Sequence, residues 1–288
     1  MSASAAIPAT PASPGRTGAS LAPMFLFLTV FLLVPYLILL QVAFRQYSAF
    51  SLYNDVWTLD NVAAVVTDPF YLRLMARTIW LGVLVTAFTL LIGYPVSLLI
   101  VRSRRRMKTV LMALVLSPML VNLVVRSYIW LILLGDRGFI NSWLMNWGII
   151  SQPLPISANI FAVTVALVQI TLPLMVLSLI AVMETIDRSL VEAAESAGAD
   201  DGRIFWRIWV PLSMPGISAG SLLVFCYVIS AFVTPALIGG GRVSTASTVI
   251  YEKFTYAVNW PMGAALVMAL LVVNAAVLAL HARFFRNR

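Results

Sequence analysis

TIDRSLVEAAESAGADDGRIFWRIWVPLS, residues 185–213, is a polar interval between two strongly apolar runs. Ser189 followed three residues later by Glu192 has the form of a capping box, the reciprocal side chain–backbone pairing that starts a helix. Ala193, Ala194 and Ala197 add strong helix propensity and a small-residue face that another surface can approach closely. Gly198 stands where such a helix stops, because glycine takes the left-handed C-terminal conformation without penalty. Asp200 can cap a second short helix, which places Phe205, Ile208 and Trp209 on one face at i, i+3 and i+4. Pro211 ends it, and Pro215-Gly216 opens the next apolar run. The predicted unit is a helix–glycine turn–helix elbow with an exposed aromatic and aliphatic knob. Such a knob suits a groove on a partner, and equally a bed of lipid headgroups.

What flanks the elbow fixes its setting. Apolar residues make up 61% of the chain and charged ones only 10%, against roughly a half and a quarter in soluble domains. Besides the run from Leu21 to about Phe44, apolar runs fall at about 75–101, 109–134, 157–184, 214–238 and 262–282. Each is near or above the roughly 20 residues that cross the hydrocarbon core as a helix. An all-α chain with six membrane spans is therefore expected. Residues 1–20, rich in Ala, Ser, Pro and Thr, read as a disordered tail preceding a permease domain over 21–288. The first run is too long for a signal peptide and no small-residue cleavage site follows it, so it reads as an uncleaved span. Pro35, Pro95, Pro118, Pro173 and Pro235 fall inside spans, where kinks or unwound turns are expected.

The net charge of +8 does not indicate nucleic acid, because the basic residues occupy the gaps between apolar runs rather than a stripe. One set of gaps holds Arg16, the cluster Arg102, Arg104, Arg105, Arg106 and Lys108, then Arg188, Arg203, Arg207, Arg283, Arg286 and Arg288. The alternate set holds roughly half as many. The positive-inside rule then places both termini, and the elbow, in the cytoplasm. Loops at about 45–74, 135–156 and 239–261 face outward and carry Trp57, Phe70, Tyr71, Trp143, Trp147 and Trp260, several of them at interfacial positions. The only cysteine, Cys226, lies in an apolar run, so neither a disulfide framework nor a thiolate metal site can be built. The single histidine, His281, reads as interfacial.

The string Glu192-Ala193-Ala194, Gly198-Ala199, Phe205, Ile208, Pro211 and Pro215-Gly216-Ile217 resembles the EAA loop of the binding-protein-dependent ABC importer permeases. TLDN at 58–61, GYPVS at 93–97, NLVVRSYIW at 122–130, FVTPALIGGG at 232–241 and NWPMGAAL at 259–266 extend the resemblance over nearly the whole chain. With Arg126-Ser127-Tyr128 and Gly138-Phe139-Ile140-Asn141, they are most similar to the spermidine/putrescine permeases, in particular the first of the two permease subunits. The resemblance implies a type I importer permease fold in a bacterial inner membrane, with the loop at about 185–213 as coupling helices. Glu192, Ala193, Ala194, Gly198, Phe205 and Ile208 are then the ATPase-docking residues. Implied partners are a second, homologous permease subunit, two ABC ATPase subunits that carry ATP and Mg, an extracytoplasmic solute-binding protein and membrane lipid. The implied cargo is a polyamine or a related small solute, and no cofactor is implied on this chain.

The chain has no phosphate-binding Gly-x-x-x-x-Gly-Lys-Ser/Thr loop, so ATP must be hydrolysed by another chain and this one is not an enzyme. HExxH is also absent. No acidic residue lies in the core of an expected span, which disfavours the alternative of an ion-coupled secondary transporter. Another solute within the same family is the nearer alternative. Polar residues inside spans are the candidates for lining a pathway: Tyr94, Asn122, Arg126, Gln169, Thr171, Ser230, Thr234 and Asn274. Interhelical hydrogen bonding accounts for each of them equally well. Arg126 is the most conspicuous, and snorkelling or bonding to carbonyls freed by Pro118 competes with a pathway role.

Overall fold

The computed structural model describes residues 14–285. α1 (Pro14–Ala43) leads into a hairpin of β1 (Arg45–Ser48) and β2 (Leu52–Trp57), followed by α2 (Asp60–Thr67) and α3 (Pro69–Arg102). Next come α4 (Arg105–Leu116), α5 (Leu123–Leu134), α6 (Phe139–Asn146) and α7 (Ile160–Met183). α8 (Arg188–Ser196), α9 (Asp201–Ile204) and α10 (Val210–Leu212) belong to the elbow. α11 (Met214–Ser230), α12 (Val233–Ile238), α13 (Ala246–Thr255) and α14 (Trp260–Phe285) complete the described chain.

Among the described residues four helices, α3, α7 and parts of α1 and α14, are long and apolar enough to cross a membrane, and two bent pairs bring the number to as many as six. The runs expected at 109–134 and 214–238 are broken rather than continuous. At the first break a 3₁₀ turn, Ser117–Leu120, contains Pro118, which cannot donate to the helix ladder. Asn122 restarts the helix by accepting from the Val124 N–H at 2.8 Å, and the axis turns by 97°. The second bent pair joins residues 201–212 to α11 with a 65° turn at Ser213. The run expected at 214–238 is broken further on, where α11 stops at Ser230 and α12 begins only after Ala231 and Phe232. α3 starts six residues before the expected 75 because Asp68 caps it, accepting from Phe70 N–H at 2.7 Å, with Pro69 pre-set at the first helical position. Of the expected tail, residues 1–13 lie outside the described residues, as do Arg286 and Arg288, whereas 14–20 belong to α1.

The two-stranded hairpin is a small departure from an otherwise helical chain. Tyr47, Tyr53, Val56 and Trp57 favour strand, and Arg45 fastens the open end, 3.3 Å from Asp55 and 4.4 Å above the Trp57 ring. Asn61 locks the hairpin to α1, its side-chain amide donating to the carbonyls of Ala43 at 3.1 Å and Arg45 at 2.9 Å. This is a physical reason for asparagine in the TLDN segment, and no local pattern announces it. Asn61→Ala would take a donor from one buried and one part-buried carbonyl, at a cost of about 1–3 kcal/mol. Thermal unfolding of the purified chain in detergent should register that loss as a lower midpoint.

α3, α7 and α11 pack together as the central unit, and α1 packs on α14 at the periphery. Leu81 and Val85 of α3 meet Leu167, Met175 and Leu179 of α7 and Val224 and Val228 of α11 in one buried cluster. Close approach depends on Gly220, where an added Cβ would lie 2.7 Å from Met175 Sδ. A buried Thr89–Thr171 hydroxyl pair, 3.2 Å apart, crosses the α3–α7 seam. Such pairs average only about 0.6 kcal/mol in a bilayer, so dense packing dominates the association. A second cluster, with Val42, Val65, Leu74, Val249 and Leu266, joins α1, α2, α3, α13 and α14 at the hairpin end of the bundle.

Candidate functional site

The elbow folds as helix, left-handed glycine and second arm, with different capping from that expected. α8 begins two residues early because Asp187 accepts from Ser189 N–H at 2.9 Å, which replaces the Ser189–Glu192 box. A carboxylate at a helix N-terminus also meets the positive end of the dipole, so it outcompetes a serine two residues later. The same N–H holds the Asp187 carboxyl below the usual carboxylate range. A depressed folded pKa means that the cap's contribution is present above the unfolded value and is lost only as pH falls through the lower, folded one. The C-terminus is a Schellman motif. Gly198 has φ +79°, its N–H donates to Glu195 O at 3.0 Å, and Ala199 N–H reaches back to Ala194 O at 2.9 Å. Asp200 occupies the N-cap position of α9, but its side chain makes no capping bond and lies 3.8 Å from Arg203 Nε.

The expected knob points inward. Phe205–Trp209 is a π-helical segment between α9 and α10, a geometry often found at functional sites. Trp209 is buried, while Phe205 and Ile208 are half-buried against the central cluster. Periodicity identified the apolar face, but the core rather than a partner receives it. Trp206, 68% exposed, is the aromatic residue that projects. On α8, Glu192 and Ala193 are exposed and Ala194 is half-buried; Gly198 is exposed. Glu192 and Glu195 line one side of a cleft of about 420 Å³, and Arg102, Lys108, Glu184 and Arg188 also border it.

Two side-chain links fasten the elbow to α3, and a third braces the helices beside it. Lys108 lies 2.5 Å from Glu184, which joins α4 to the end of α7. Arg102, at the end of α3, lies 3.7 Å from Asp201. The other link to α3 is buried: Tyr94 Oη is 2.9 Å from Ser213 Oγ, and the Tyr94 ring meets Phe205 edge-on at 5.4 Å. The exposed ionic links are worth little individually, so the Tyr94 contact is the firm one. Tyr94 is thus committed to the elbow rather than placed to line a pathway.

The other pathway candidates divide. Gln169 accepts from Trp130 Nε1 at 3.4 Å, and Thr234 pairs with buried Ser127 at 3.2 Å, so α5, α7 and α12 bring these polar groups to their shared seams. Ser230 is exposed at the α11–α12 break. Asn122 is spent as the α5 cap, and Thr171 pairs with Thr89. Asn274 bonds back to Leu270 O at 3.1 Å within α14. Arg126 Nε and Nη1 are buried and meet no acceptor among the described residues, so the expected bonds to carbonyls freed by Pro118 are not made there. Tyr227 lies within electrostatic reach of its guanidinium. Ser127 was not predicted as a site residue; its small hydroxyl side chain in an apolar helix gave only a weak signal.

Residues 89–288 match the family described as binding-protein-dependent transport system inner membrane component. The spermidine/putrescine transport system permease protein PotB of Haemophilus influenzae is 33% identical over 264 residues, 92% of each chain. PotB of Escherichia coli is 32% identical over 90% of this chain and 94% of its own length. The molybdenum transport system permease protein ModB of Mycobacterium bovis is 30% identical over 75% of this chain and 80% of its own length. Among solved structures, a bacterial alginate ABC transporter in complex with an alginate pentasaccharide-bound periplasmic protein contains a chain of the same fold. The TM-score is 0.78 at 18% identity, covering 95% of this chain and 94% of that one.

Proposed function

This chain belongs to the binding-protein-dependent transport system inner membrane components, and from that membership we propose how its parts divide the work of an ATP-driven importer. The chain is a transmembrane permease subunit. Its spans, six with each bent pair counted once, cross a bacterial inner membrane with both termini in the cytoplasm. A second permease subunit lies beside it, two ATPase subunits dock beneath, and an extracytoplasmic binding protein delivers the cargo. ATP and Mg act on the ATPase chains. The cargo is a polyamine, a reading supported by one third identity with PotB over nine tenths of both chains.

In this reading the elbow is the coupling device. ATP-driven closure of the ATPases draws two elbows together, and each elbow biases its own spans between inward- and outward-facing states. A bias can be transmitted only if the elbow does not bend independently of the bundle. The buried Tyr94–Ser213 contact, reinforced by Phe205 against the Tyr94 ring, carries this argument, since it ties the elbow directly to α3. Glu192, Ala193, Ala194, Gly198 and the exposed Trp206 form the docking surface; Phe205 and Ile208 support it from behind.

Glu192→Lys should lower retention of the ATPase subunits several-fold during purification, with the helix content of the permease unchanged. Undiminished retention would remove Glu192 from the docking surface. The function as a whole is tested by reconstituting the permease pair with its ATPase and binding protein in liposomes. Spermidine-loaded binding protein should stimulate both ATP hydrolysis and spermidine uptake, and stimulation by a different solute would replace the cargo assignment.

A further inference from the structure

The loops assigned to the outer face contain five carboxylates: Asp55, Asp60, Asp68, Asp136 and Glu252. Three have local duties. Asp55 pairs with Arg45, Asp60 stands in the first turn of α2, and Asp68 caps α3. Glu252, on α13, has a different setting. It lines a recess of about 550 Å³ together with Phe232, Ala236, Thr248, Tyr251 and Tyr256. Phe232 and Tyr251 lie ring over ring with centroids 4.3 Å apart and planes 31° from parallel. Tyr256 meets Tyr251 edge-on at 6.0 Å. Lys253 follows Glu252 in sequence but does not border the recess.

The recess is a fixed feature. Ser247 Oγ donates to Ile229 O at 3.1 Å and the Ala246 N–H donates to Thr78 Oγ1 at 2.8 Å, which pins α13 to the ends of α11 and α3. A Thr245–Thr248 capping box starts α13. Phe232 stands between the end of α11 at Ser230 and the start of α12, of which it is the N-cap. One carboxylate and three aromatic rings thus meet beside the break between α11 and α12.

These groups suit an alkylammonium ion. Aromatic faces attract organic cations, a carboxylate adds charge and a hydrogen-bond acceptor, and Ala236 with the rings offers apolar surface to a methylene chain. A small hydrated metal ion would gain little from the rings, and an anion would be repelled. We propose that this recess is a transient station for one ammonium group of the cargo on its way from the binding protein into the pathway. The proposal rests on the polyamine reading above and assigns it a place. A single carboxylate in a wet recess holds such a group weakly, as a transit site requires.

The test uses the full complex in liposomes with its binding protein and radiolabelled spermidine. Glu252→Gln should lower uptake per ATP hydrolysed about tenfold, while loaded binding protein still stimulates the ATPase to within twofold of wild type. Glu252→Asp should recover most of the loss, and Tyr251→Leu should reproduce it. Asp136→Asn, an outer-loop change away from the recess, should stay within twofold. In the wild-type complex, spermidine bearing a photoreactive diazirine should label peptides containing Tyr251 or Tyr256, a readout independent of variant folding. Normal uptake in Glu252→Gln and Tyr251→Leu, or labelling confined to other segments, overturns the station and leaves the polyamine reading standing. A wild-type complex that ignores spermidine and moves another solute overturns the polyamine reading and the station with it.

Discussion

Gly198→Pro is expected to abolish stable association with the ATPase subunits, reducing the amount that co-purifies by at least tenfold, while the permease still reaches the membrane. Gly198 has φ +79°, whereas proline is confined near −65°. The substitution also removes the N–H that donates to Glu195 O. A Cβ at this position would meet nothing within 4 Å, so the effect is one of backbone conformation rather than collision. This separates the prediction from a general loss of packing. Gly198→Ala should be intermediate, since the left-handed conformation costs an L-residue about 1–2 kcal/mol. Gly198→Asn, which tolerates that conformation better, should retain more ATPase than Gly198→Ala. The checks are ATPase retention on affinity-purified permease and permease abundance in the membrane fraction. Equal retention in all three variants would disprove the dependence of docking on the turn.

Tyr94→Phe is expected to uncouple rather than to unfold. It removes one hydroxyl and keeps the ring against Phe205. Ser213 is not stranded, because its Oγ also lies 3.2 Å from Val210 O and can donate there. The direct stability cost is therefore about 1 kcal/mol, typical of a lost hydrogen bond between neutral groups. If that contact is present in only one of the two transport states, 1.4 kcal/mol corresponds to a tenfold change in their ratio. Solute moved per ATP hydrolysed should fall by about fivefold, with ATPase retention unchanged. Ser213→Ala should behave alike, and the double variant should be no worse than either single one, since both remove one link. Unaltered coupling in Tyr94→Phe would show that the joint does not transmit the bias.

These two positions illustrate how unevenly the sequence discloses the site. Gly198 was legible because the left-handed turn is a local requirement, expressed in one residue type at one offset from a helix. The apolar face of Phe205, Ile208 and Trp209 was legible for the same reason, since it is a periodicity. Its direction was not, because that depends on Tyr94, more than a hundred residues away in sequence, and on the central cluster. Tyr94 itself read as a pathway residue, as a hydroxyl in an apolar run carries no sign of its partner. Asp187 took the cap from Ser189 because two adequate caps stood close together and the charged one matched the helix dipole. The helical breaks were half visible. Pro118 marked the first, whereas the stop at Ser230 precedes Pro235 and lies where α13 packs against the end of α11.

The pairing of α1 with α14 has a consequence for synthesis. Residues 44–259 separate the two helices, so α1 enters the bilayer long before its packing partner exists. Until then it must persist among lipid tails alone. Its composition allows this: the apolar stretch Leu26–Ala43 is mostly exposed and has no charged side chain that would require shelter. Closure of α14 onto α1 is a contact of long sequence separation, and such contacts form late. A ribosome stalled before Trp260 would therefore display α1 inserted but undocked, with the Asn61 clasp already made and the second cluster, of Val42, Leu74 and Leu266, still incomplete.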